Sequence, residues 1–304
     1  MELRSLQRSI ERRVRELNAI TGVYVRYLET GDTVTINADA PMETMSVIKV
    51  AIFVELMRVA ETDPSLLSRS VVTDKSRLTL GTGVLRKLEP LTVTIANAAH
   101  LMLVESDNSA TDICLEAIGG PEEFNARLSG RGYPELAIHG WARGWFRALA
   151  ESMDNSGRYR QLSDGEIAER GYPIADLLAL RAARREFWES NVRRYGVGTA
   201  AQLGRFLEEA WVGAGRGDGA YVKLLQDLSE VSVKNRIARD LIGCKVYNKS
   251  GSFDPHVVND VGIVVPDAGT PIVVVVLING FDGRVIAAED AIAEIADRCV
   301  GLAS

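Results

Sequence analysis

The chain has 304 residues, of which 46% are hydrophobic and 25% are charged, and its formal net charge is −6 at pH 7. This composition is ordinary for a globular protein, and the length allows one large domain or two interlocked lobes. Because the net charge is negative and no dense run of Lys and Arg occurs, nucleic acids and anionic membranes are not expected as partners.

The first predicted element is an amphipathic, arginine-rich helix that ends near residue 17. It lacks the continuous apolar stretch and the small-residue cleavage site of a signal peptide, so the sequence as given predicts a cytoplasmic protein. A chain already cleaved from a signal peptide would look similar, and the protein would then be periplasmic or secreted. The longest apolar run, 272–278, is too short to cross a bilayer. The apolar face of the helix consists of Leu3, Leu6, Ile10, Val14 and Leu17.

Strands are predicted at both ends of the chain. Residues 22–29 and 33–37 are predicted to form a hairpin. Residues 287–302 are predicted to form the last helix. Further strands are predicted at 244–249, 257–265 and 272–279. Together these elements predict an α/β fold of the α+β type, with one five-stranded antiparallel sheet, terminal helices beside it, and an inserted all-helical lobe.

We expect a single domain over residues 1–304. Its sheet lobe would comprise about 1–40 and 240–304, and its helical lobe about 41–239. Residues 45–60 are apolar almost all round and predict a buried central helix. Other helices are predicted at 93–104, at 109–118 before Gly119-Gly120, at 121–128 with Pro at its first turn, and from a capping box at Thr199 and Gln202.

A serine and a lysine three residues apart open the buried central helix. Ser46 and Lys49 share one helix face, so the amine can approach the hydroxyl. The helix N-terminus would add its dipole and a backbone N–H for an oxyanion. Desolvation in an apolar helix is expected to lower the pKa of Lys49, which makes a neutral amine available as a base. An S-x-x-K pair occurs about once by chance in a chain of this size, and the apolar surroundings distinguish this one.

Two further polar groups follow along the chain. Ser106-Asp107-Asn108 lies between two predicted helices, where it can present a hydroxyl and an amide to a cleft. The alternative for this group is a polar turn with an N-cap. Lys249-Ser250-Gly251 ends a predicted strand, where an amine, a hydroxyl and a residue without a side chain suit an extended, carboxylate-bearing substrate. The alternative there is an exposed strand end.

In this order, the three groups match the S-x-x-K, S-D-N and K-T-G motifs of class A β-lactamases and penicillin-binding proteins. The sequence resembles that superfamily, and class A most closely, from about Gly22 to Leu302. The stretches that carry the resemblance are 41–57, 106–124 and 249–265. The resemblance implies a two-lobed α/β fold. It also implies that the protein is an enzyme, namely a serine hydrolase that opens β-lactam amide bonds.

The resemblance also implies catalytic roles. Ser46 would be the nucleophile and Lys49 its base or proton shuttle. Ser106 would relay a proton to the leaving nitrogen. The backbone N–H groups of Ser46 and Ser252 would form the oxyanion hole.

The implied binding residues act on a small-molecule substrate. Asn108 would bind the amide of the substrate. Lys249 and Ser250 would hold its carboxylate, and Gly251 would let the substrate approach the strand. No cofactor and no metal are expected, since the three histidines and three cysteines show no ligand spacing. The sequence leaves the oligomeric state open.

One departure from class A concerns deacylation. Class A enzymes carry a Glu and an Asn before the helix that begins here at residue 199, and no clear match occurs. Glu189, between Trp188 and Asn191, is the nearest candidate for the base that activates water. Glu166 and Glu186 are weaker ones. The alternative for Glu189 is a solvated charged face.

A second departure concerns the carboxylate. The strand at 257–261 lacks the Arg that often helps to bind it, and Arg236 and Arg239 are the candidate replacements. Asp260 in that strand would be structural. Ser250 stands where class A usually has Thr.

A third departure is the segment 135–198, which is longer than its family counterpart. It would form either a lid over the substrate or the aromatic core of an extra helical pair.

Three functions remain open. The first is β-lactam hydrolysis. The second is a hydrolase or acyltransferase of the same fold that acts on another amide or ester, for example in a biosynthetic pathway, which the absence of a visible signal peptide favours. The third is a penicillin-binding protein that is acylated without turnover.

Overall fold

The computed structural model describes residues 3–190 and 195–303. Its helices are α1 (Leu3–Arg15), α2 (Lys49–Thr62), α3 (Ile95–Val104), α4 (Asn108–Ala117), α5 (Pro121–Gly130), α6 (Ala142–Ser152), α7 (Asp164–Arg170), α8 (Leu177–Ser190), α9 (Ala200–Gly215), α10 (Gly219–Ser229) and α11 (Val285–Ala303). Its strands are β1 (Ile20–Tyr27), β2 (Thr33–Ile36), β3 (Met42–Glu43), β4 (Ser70–Val72), β5 (Thr92–Thr94), β6 (Ala137–Ile138), β7 (Gly196–Gly198), β8 (Cys244–Phe253), β9 (Val257–Pro266) and β10 (Ile272–Asn279).

The chain forms two compact units. The first comprises the described residues within 1–50, 133–136 and 196–304. The second comprises the described residues within 51–132 and 137–195. Compared with the lobes expected from the sequence, residues 196–239 lie in the unit of the sheet, because α9 packs on β1, β9 and β10.

A five-stranded antiparallel sheet is the centre of the first unit, as predicted. Its strand order is β2-β1-β10-β9-β8, so strands from both chain ends meet at the β1–β10 pair. Every residue of β10 is buried, which explains its continuous apolar sequence. One sheet face packs on α1 and α11, where Val23 and Ile292 belong to the same core cluster. The neighbouring Tyr24 points to the other face and lies against Gly204 of α9.

The apolar face predicted for the N-terminal helix is confirmed. Leu6 and Ile10 are fully buried in α1, and Val14 is 7% exposed. They pack in the core cluster that also contains residues of α11. Burial of this stripe stabilises the helix, since an isolated helix of this length is only marginally stable in water.

The second unit is mainly helical, with α3 to α8 and most of α2. It also contains one short antiparallel pair, β4 with β5, in which Val71 lies opposite Val93. The pattern of residues 92–94 is too short to be recognised as a strand by periodicity, which is why the helix predicted from 93 begins two residues later.

Two helices begin where the sequence predicts, α9 after Thr199 and α5 at Pro121. Thr199 is the N-cap of α9, and its Oγ1 accepts from the backbone N–H of Gln202 at 3.1 Å. The Gln202 side chain accepts from the N–H of Glu135 instead of completing a capping box. Pro121 is the first residue of α5, after Gly120 with a φ of +91°. No helix in the described ranges is both long and apolar enough to span a membrane.

Candidate active site

The predicted nucleophile lies in a tight turn at the start of the central helix. Ser46 belongs to a 3₁₀ turn, Met45–Ile48, and α2 begins at Lys49. In a 3₁₀ turn the side chains at i and i+3 eclipse, which favours the approach of Lys49 to Ser46. Lys49 is fully buried, and its backbone N–H donates to the Ser46 carbonyl. Met45 has a φ of +48°, a strained conformation for a non-glycine residue that is common at functional sites.

Strand β8 passes directly against this turn. A Cβ added to Gly251 would lie 2.5 Å from the Thr44 carbonyl oxygen, 2.9 Å from the Val47 nitrogen and 3.0 Å from the Ser46 nitrogen. Only glycine fits at such distances, because a real Cβ atom would overlap the backbone. The structure therefore brings the Ser46 turn and the Lys249–Gly251 strand together in the first unit.

Lys249 is a buried amine on this strand. It is 1% exposed, and its Nζ donates to the Ser250 carbonyl at 2.9 Å. Burial lowers the pKa of Lys249 to about 8; the Asp260 carboxylate opposes this shift, and the Arg236 guanidinium adds to it. An amine with this pKa is mostly a cation at neutral pH and loses its charge in mildly alkaline solution.

Of the two arginines considered for carboxylate binding, the structure places Arg236 beside the strand. Arg236 is 4% exposed and donates to the Ser252 hydroxyl at 2.7 Å and to the Asn259 carbonyl at 2.8 Å. Glu289 on α11 pairs with it at 3.3 Å. Arg239 instead pairs with Asp290 at 2.6 Å and with its neighbour in sequence.

Asp260 is a fully buried carboxylate behind the strand. It lies opposite Ser250 in the β8–β9 register and accepts from the backbone N–H of Ile237 at 3.0 Å and from the Asn248 amide at 3.2 Å. Burial raises the pKa of Asp260, and the nearby guanidinium of Arg236 opposes the shift. These bonds join β8, β9 and the segment before β8, which agrees with the structural role expected for Asp260.

In the second unit, Ser106-Asp107-Asn108 forms the turn between α3 and α4. Ser106 has a φ of +54°. Asp107 is 1% exposed and is the N-cap of α4, where it accepts from the Ala110 N–H at 2.9 Å. The Asn108 amide donates to the Leu80 carbonyl at 3.0 Å. The N-cap alternative is thus correct for Asp107.

A segment that the sequence analysis missed holds this turn. The backbone N–H groups of Val84 and Leu85 donate to the Asp107 carboxylate at 2.7 and 2.8 Å. A Cβ on Gly83 would lie 2.5 Å from that carboxylate, and one on Gly81 would lie 2.6 Å from the Asn108 amide nitrogen. Both glycines have positive φ. The Gly-Thr-Gly spacing, outside any predicted helix or strand, is the signal that could have identified it.

We expect Asp107→Ala to destabilise the protein by about 3 kcal/mol or more, because it removes a buried charged acceptor from three backbone N–H groups. Urea denaturation monitored by circular dichroism measures the loss. Asp74→Ala is the matched control, since Asp74 caps a short 3₁₀ turn but is exposed. Equal stability losses in the two variants would contradict the role of Asp107.

The structure places the predicted deacylation base at the surface. The Glu189 side chain is 58% exposed on α8 and pairs with Arg185 at 3.0 Å. Glu186 is exposed on the same helix, and Glu166 completes a capping box with Ser163, whose hydrogen bonds lower the pKa of Glu166. Asn191 lies outside the described residues. These features agree with the alternative of a solvated charged face for Glu189.

The aromatic residues of 137–195 pack on one another. Trp145 makes edge contacts with Phe146, Phe187 and Tyr195 at centroid distances of 5.0, 5.4 and 6.5 Å. The N-terminus of α6 is fixed by Asp112, which accepts from two backbone N–H groups at 2.7 and 3.0 Å. The contact between Trp145 on α6 and Phe187 on α8 agrees with the alternative of an aromatic core of an extra helical pair.

The cysteines are free thiols, and two of them, Cys114 and Cys299, are buried. Burial raises the pKa of the Cys299 thiol to about 12, so it is neutral and unreactive. Across residues 3–190 and 195–303, no group of three or more His, Cys, Asp or Glu side chains is placed to hold a metal ion.

The chain is similar to known proteins in sequence and in fold. A model described as the β-lactamase enzyme family matches residues 5–302. No curated protein matches the sequence. Similar solved structures include a β-lactamase from Sphaerobacter thermophilus (TM-score 0.77, 17% identity, 100% of this chain and 98% of that one) and an ancestral class A β-lactamase of Gram-negative bacteria (0.75, 20%, 98% and 99%). Another is PBP-A (0.76, 16%, 99% and 96%).

Proposed function

Because the chain belongs to the β-lactamase enzyme family, we propose that it is a serine hydrolase that cleaves β-lactam amide bonds through an acyl-enzyme on Ser46. The observation that supports this most directly is the close approach of Gly251 to the backbone of the Ser46 turn. It sets a hydroxyl and a buried amine beside an edge strand that carries a second buried amine. A nucleophile, a base and an anion-binding group are what acyl transfer from a carboxylate-bearing amide to a serine requires.

In the acylation step, the Ser46 Oγ bonds to the amide carbonyl carbon while Lys49 accepts its proton. The backbone N–H groups of Ser46 and Ser252 would stabilise the oxyanion. When the tetrahedral intermediate collapses, the carbon–nitrogen bond breaks. In the role that the family resemblance implies for it, Ser106 passes its proton to the leaving nitrogen and regains one from Lys49, so that both side chains return to their starting protonation states. The product is an ester on Ser46, which water then hydrolyses.

Substrate binding uses the edge of β8. The carboxylate of the substrate would be bound by Lys249 and Ser250, and the buried Arg236 beside Ser252 adds positive charge there. Asn108, in the second unit, keeps the amide-binding role that the family resemblance implies. An edge strand offers backbone groups for an extended substrate.

Substrate affinity should depend on pH through Lys249. Its amine is a cation below a pH of about 8 and neutral above it. We therefore expect kcat/KM for a carboxylate-bearing penicillin to fall as pH rises through about 8. A simple neutral ester is the control, because it has no carboxylate and should not show this loss. Parallel pH profiles for the two substrates would contradict the anchoring role of Lys249.

A second candidate is a penicillin-binding protein that is acylated but turns over poorly. The observation that favours it is the exposed position of Glu189, paired with Arg185. The structural similarity to PBP-A is consistent with it. A hydrolase or acyltransferase that acts on another amide or ester is the remaining alternative on this fold.

The three candidates differ in what happens to a panel of substrates. We expect steady-state turnover of a chromogenic cephalosporin, with no adduct remaining in the intact mass spectrum. A persistent adduct without turnover would indicate the penicillin-binding alternative. Turnover of simple esters without any reaction of penicillins and cephalosporins would indicate the third candidate.

A further inference from the structure

Arg236 uses the Nη hydrogens of its guanidinium within the protein. Nη1 donates to the Asn259 carbonyl at 2.8 Å and to the Gly251 carbonyl at 3.4 Å. Nη2 donates to the Ser252 hydroxyl at 2.7 Å and to Glu289 at 3.3 Å. Nε is enclosed by protein and has no acceptor among the described residues. Arg236 therefore has no pair of hydrogens left with which to bind a substrate carboxylate in the usual two-pronged manner.

These bonds fix the orientation of one peptide group. Asn259 lies opposite Gly251 in the β8–β9 pair, and one nitrogen of Arg236 reaches both carbonyls. Two opposite residues present their carbonyls this closely only when both point between the strands, so the Gly251 carbonyl faces β9. The Ser252 N–H belongs to the same trans peptide and points the opposite way. It therefore faces the edge of β8 that has no neighbouring strand in the described sheet.

The same peptide lies next to the nucleophile. A Cβ on Gly251 would lie 3.0 Å from the Ser46 nitrogen. The N–H groups of Ser46 and Ser252 are the two donors proposed for the oxyanion. Because hydrogen bonds in a chain polarise one another, a cation on the Gly251 carbonyl makes the Ser252 N–H a stronger donor. A donor that is oriented and polarised before the reaction stabilises the oxyanion without reorganisation.

Asn259 connects Arg236 to the turn that carries the other donor. Its carbonyl accepts from Arg236 at 2.8 Å. Its side-chain amide donates to the Glu43 carbonyl at 2.8 Å and to the Thr44 carbonyl at 3.2 Å. Thr44 directly precedes the 3₁₀ turn that contains Ser46. The nucleophile turn and the peptide that Arg236 binds are thus held through one buried residue of β9.

Glu289 on α11 keeps the guanidinium in this position. Its carboxylate is buried and accepts from Arg236 and from the Asn235 amide. Burying an isolated cation is costly, and the opposite charge of Glu289 offsets that cost. The ion pair therefore lets Arg236 remain charged and oriented inside the protein.

We propose that Arg236 is a positioning residue of the oxyanion hole, an inference that rests on the proposed acyl-enzyme function. Arg236 acts on the transition state of acylation through the peptide between Gly251 and Ser252, and it makes no contact with the substrate. This role and carboxylate binding predict different kinetics. Loss of a carboxylate contact weakens substrate binding, whereas loss of a correctly oriented oxyanion donor slows the chemical step.

The test measures acylation of Arg236→Gln over a range of penicillin concentrations, by rapid mixing and intact mass spectrometry. The limiting rate should fall at least about tenfold, the typical effect of one hydrogen bond to a charged group. The dissociation constant of the complex before acylation should change less than this rate. Labelling by a fluorophosphonate probe, which has no carboxylate, should slow by a similar factor. Arg239→Gln is the matched control and should behave like the wild type, since Arg239 pairs with Asp290.

A weaker penicillin complex with an unchanged limiting rate and normal fluorophosphonate labelling would overturn the proposal and assign Arg236 to the substrate carboxylate. Wild-type values throughout, or an equal loss in Arg239→Gln, would also overturn it. If Arg236→Gln does not fold, Arg236→Lys decides by the same criteria, because an ammonium keeps the charge but lacks the planar fork that reaches several acceptors. A wild type that is never acylated at Ser46 would instead contradict the proposed function itself, so the two failures are distinguishable.

Discussion

Replacing Ser46 by alanine should abolish covalent labelling by a penicillin or by a fluorophosphonate probe. The Oγ of Ser46 is the atom that would form the ester, and alanine has no nucleophile to replace it. The loss should be complete within the detection limit of intact mass spectrometry. The fold should persist, since Ser46 is only half-buried and removal of its Oγ leaves the turn backbone unchanged.

The matched control is Ser250→Ala, which removes a hydroxyl from the adjacent strand. Ser250 is proposed to bind the substrate carboxylate, so this variant should still be labelled, at a lower rate with penicillin and at a nearly unchanged rate with the fluorophosphonate. Undiminished labelling of Ser46→Ala at any other serine would show that the nucleophile has been assigned incorrectly.

Replacing Lys49 by arginine should slow acylation by about 10²-fold or more. A guanidinium is not deprotonated in proteins, so it cannot accept the Ser46 proton, and loss of a general base has effects of this size. Because Lys49 is fully buried at the start of α2, a thermal melt must first confirm that the larger side chain is accommodated. Rapid mixing with a chromogenic cephalosporin then measures the acylation rate.

Lys249→Arg is the control for this experiment, because it makes the same change at the other buried lysine of the site. Lys249 is proposed to act as a cation, and arginine also binds carboxylates well. Its acylation rate should fall by no more than about tenfold. A larger loss in Lys249→Arg than in Lys49→Arg would reverse the roles of the two lysines.

The sequence by itself determined the elements whose signals are local or periodic. The antiparallel sheet built from both chain ends followed from the alternating segment at 22–29 and the continuous apolar segment at 272–279. The buried helix after Ser46 followed from a run of apolar residues on all its faces. The helix starts at Thr199 and Pro121 were found because such signals depend on the residue itself and its immediate neighbours. The family resemblance had the same source, three short motifs in a fixed order.

Only the tertiary structure decided which polar residues lie beside the motifs. Arg236 and Arg239 differ little in sequence context. Arg236 is buried against β8 and β9, where it donates to Ser252 and Asn259, whereas Arg239 is partly exposed and pairs with Asp290. Glu189 matched a local pattern but lies on an exposed helix face.

The same limit explains the residues that were missed. The backbone of Glu43 is held by the side-chain amides of Asn259 and Asn279, which lie 216 and 236 positions further along the chain. No local periodicity or cap signal connects residues at that separation. Their proximity is created when β9 and β10 assemble against the segment before Ser46, so the position of a buried polar group depends on the completed sheet rather than on its own stretch of sequence.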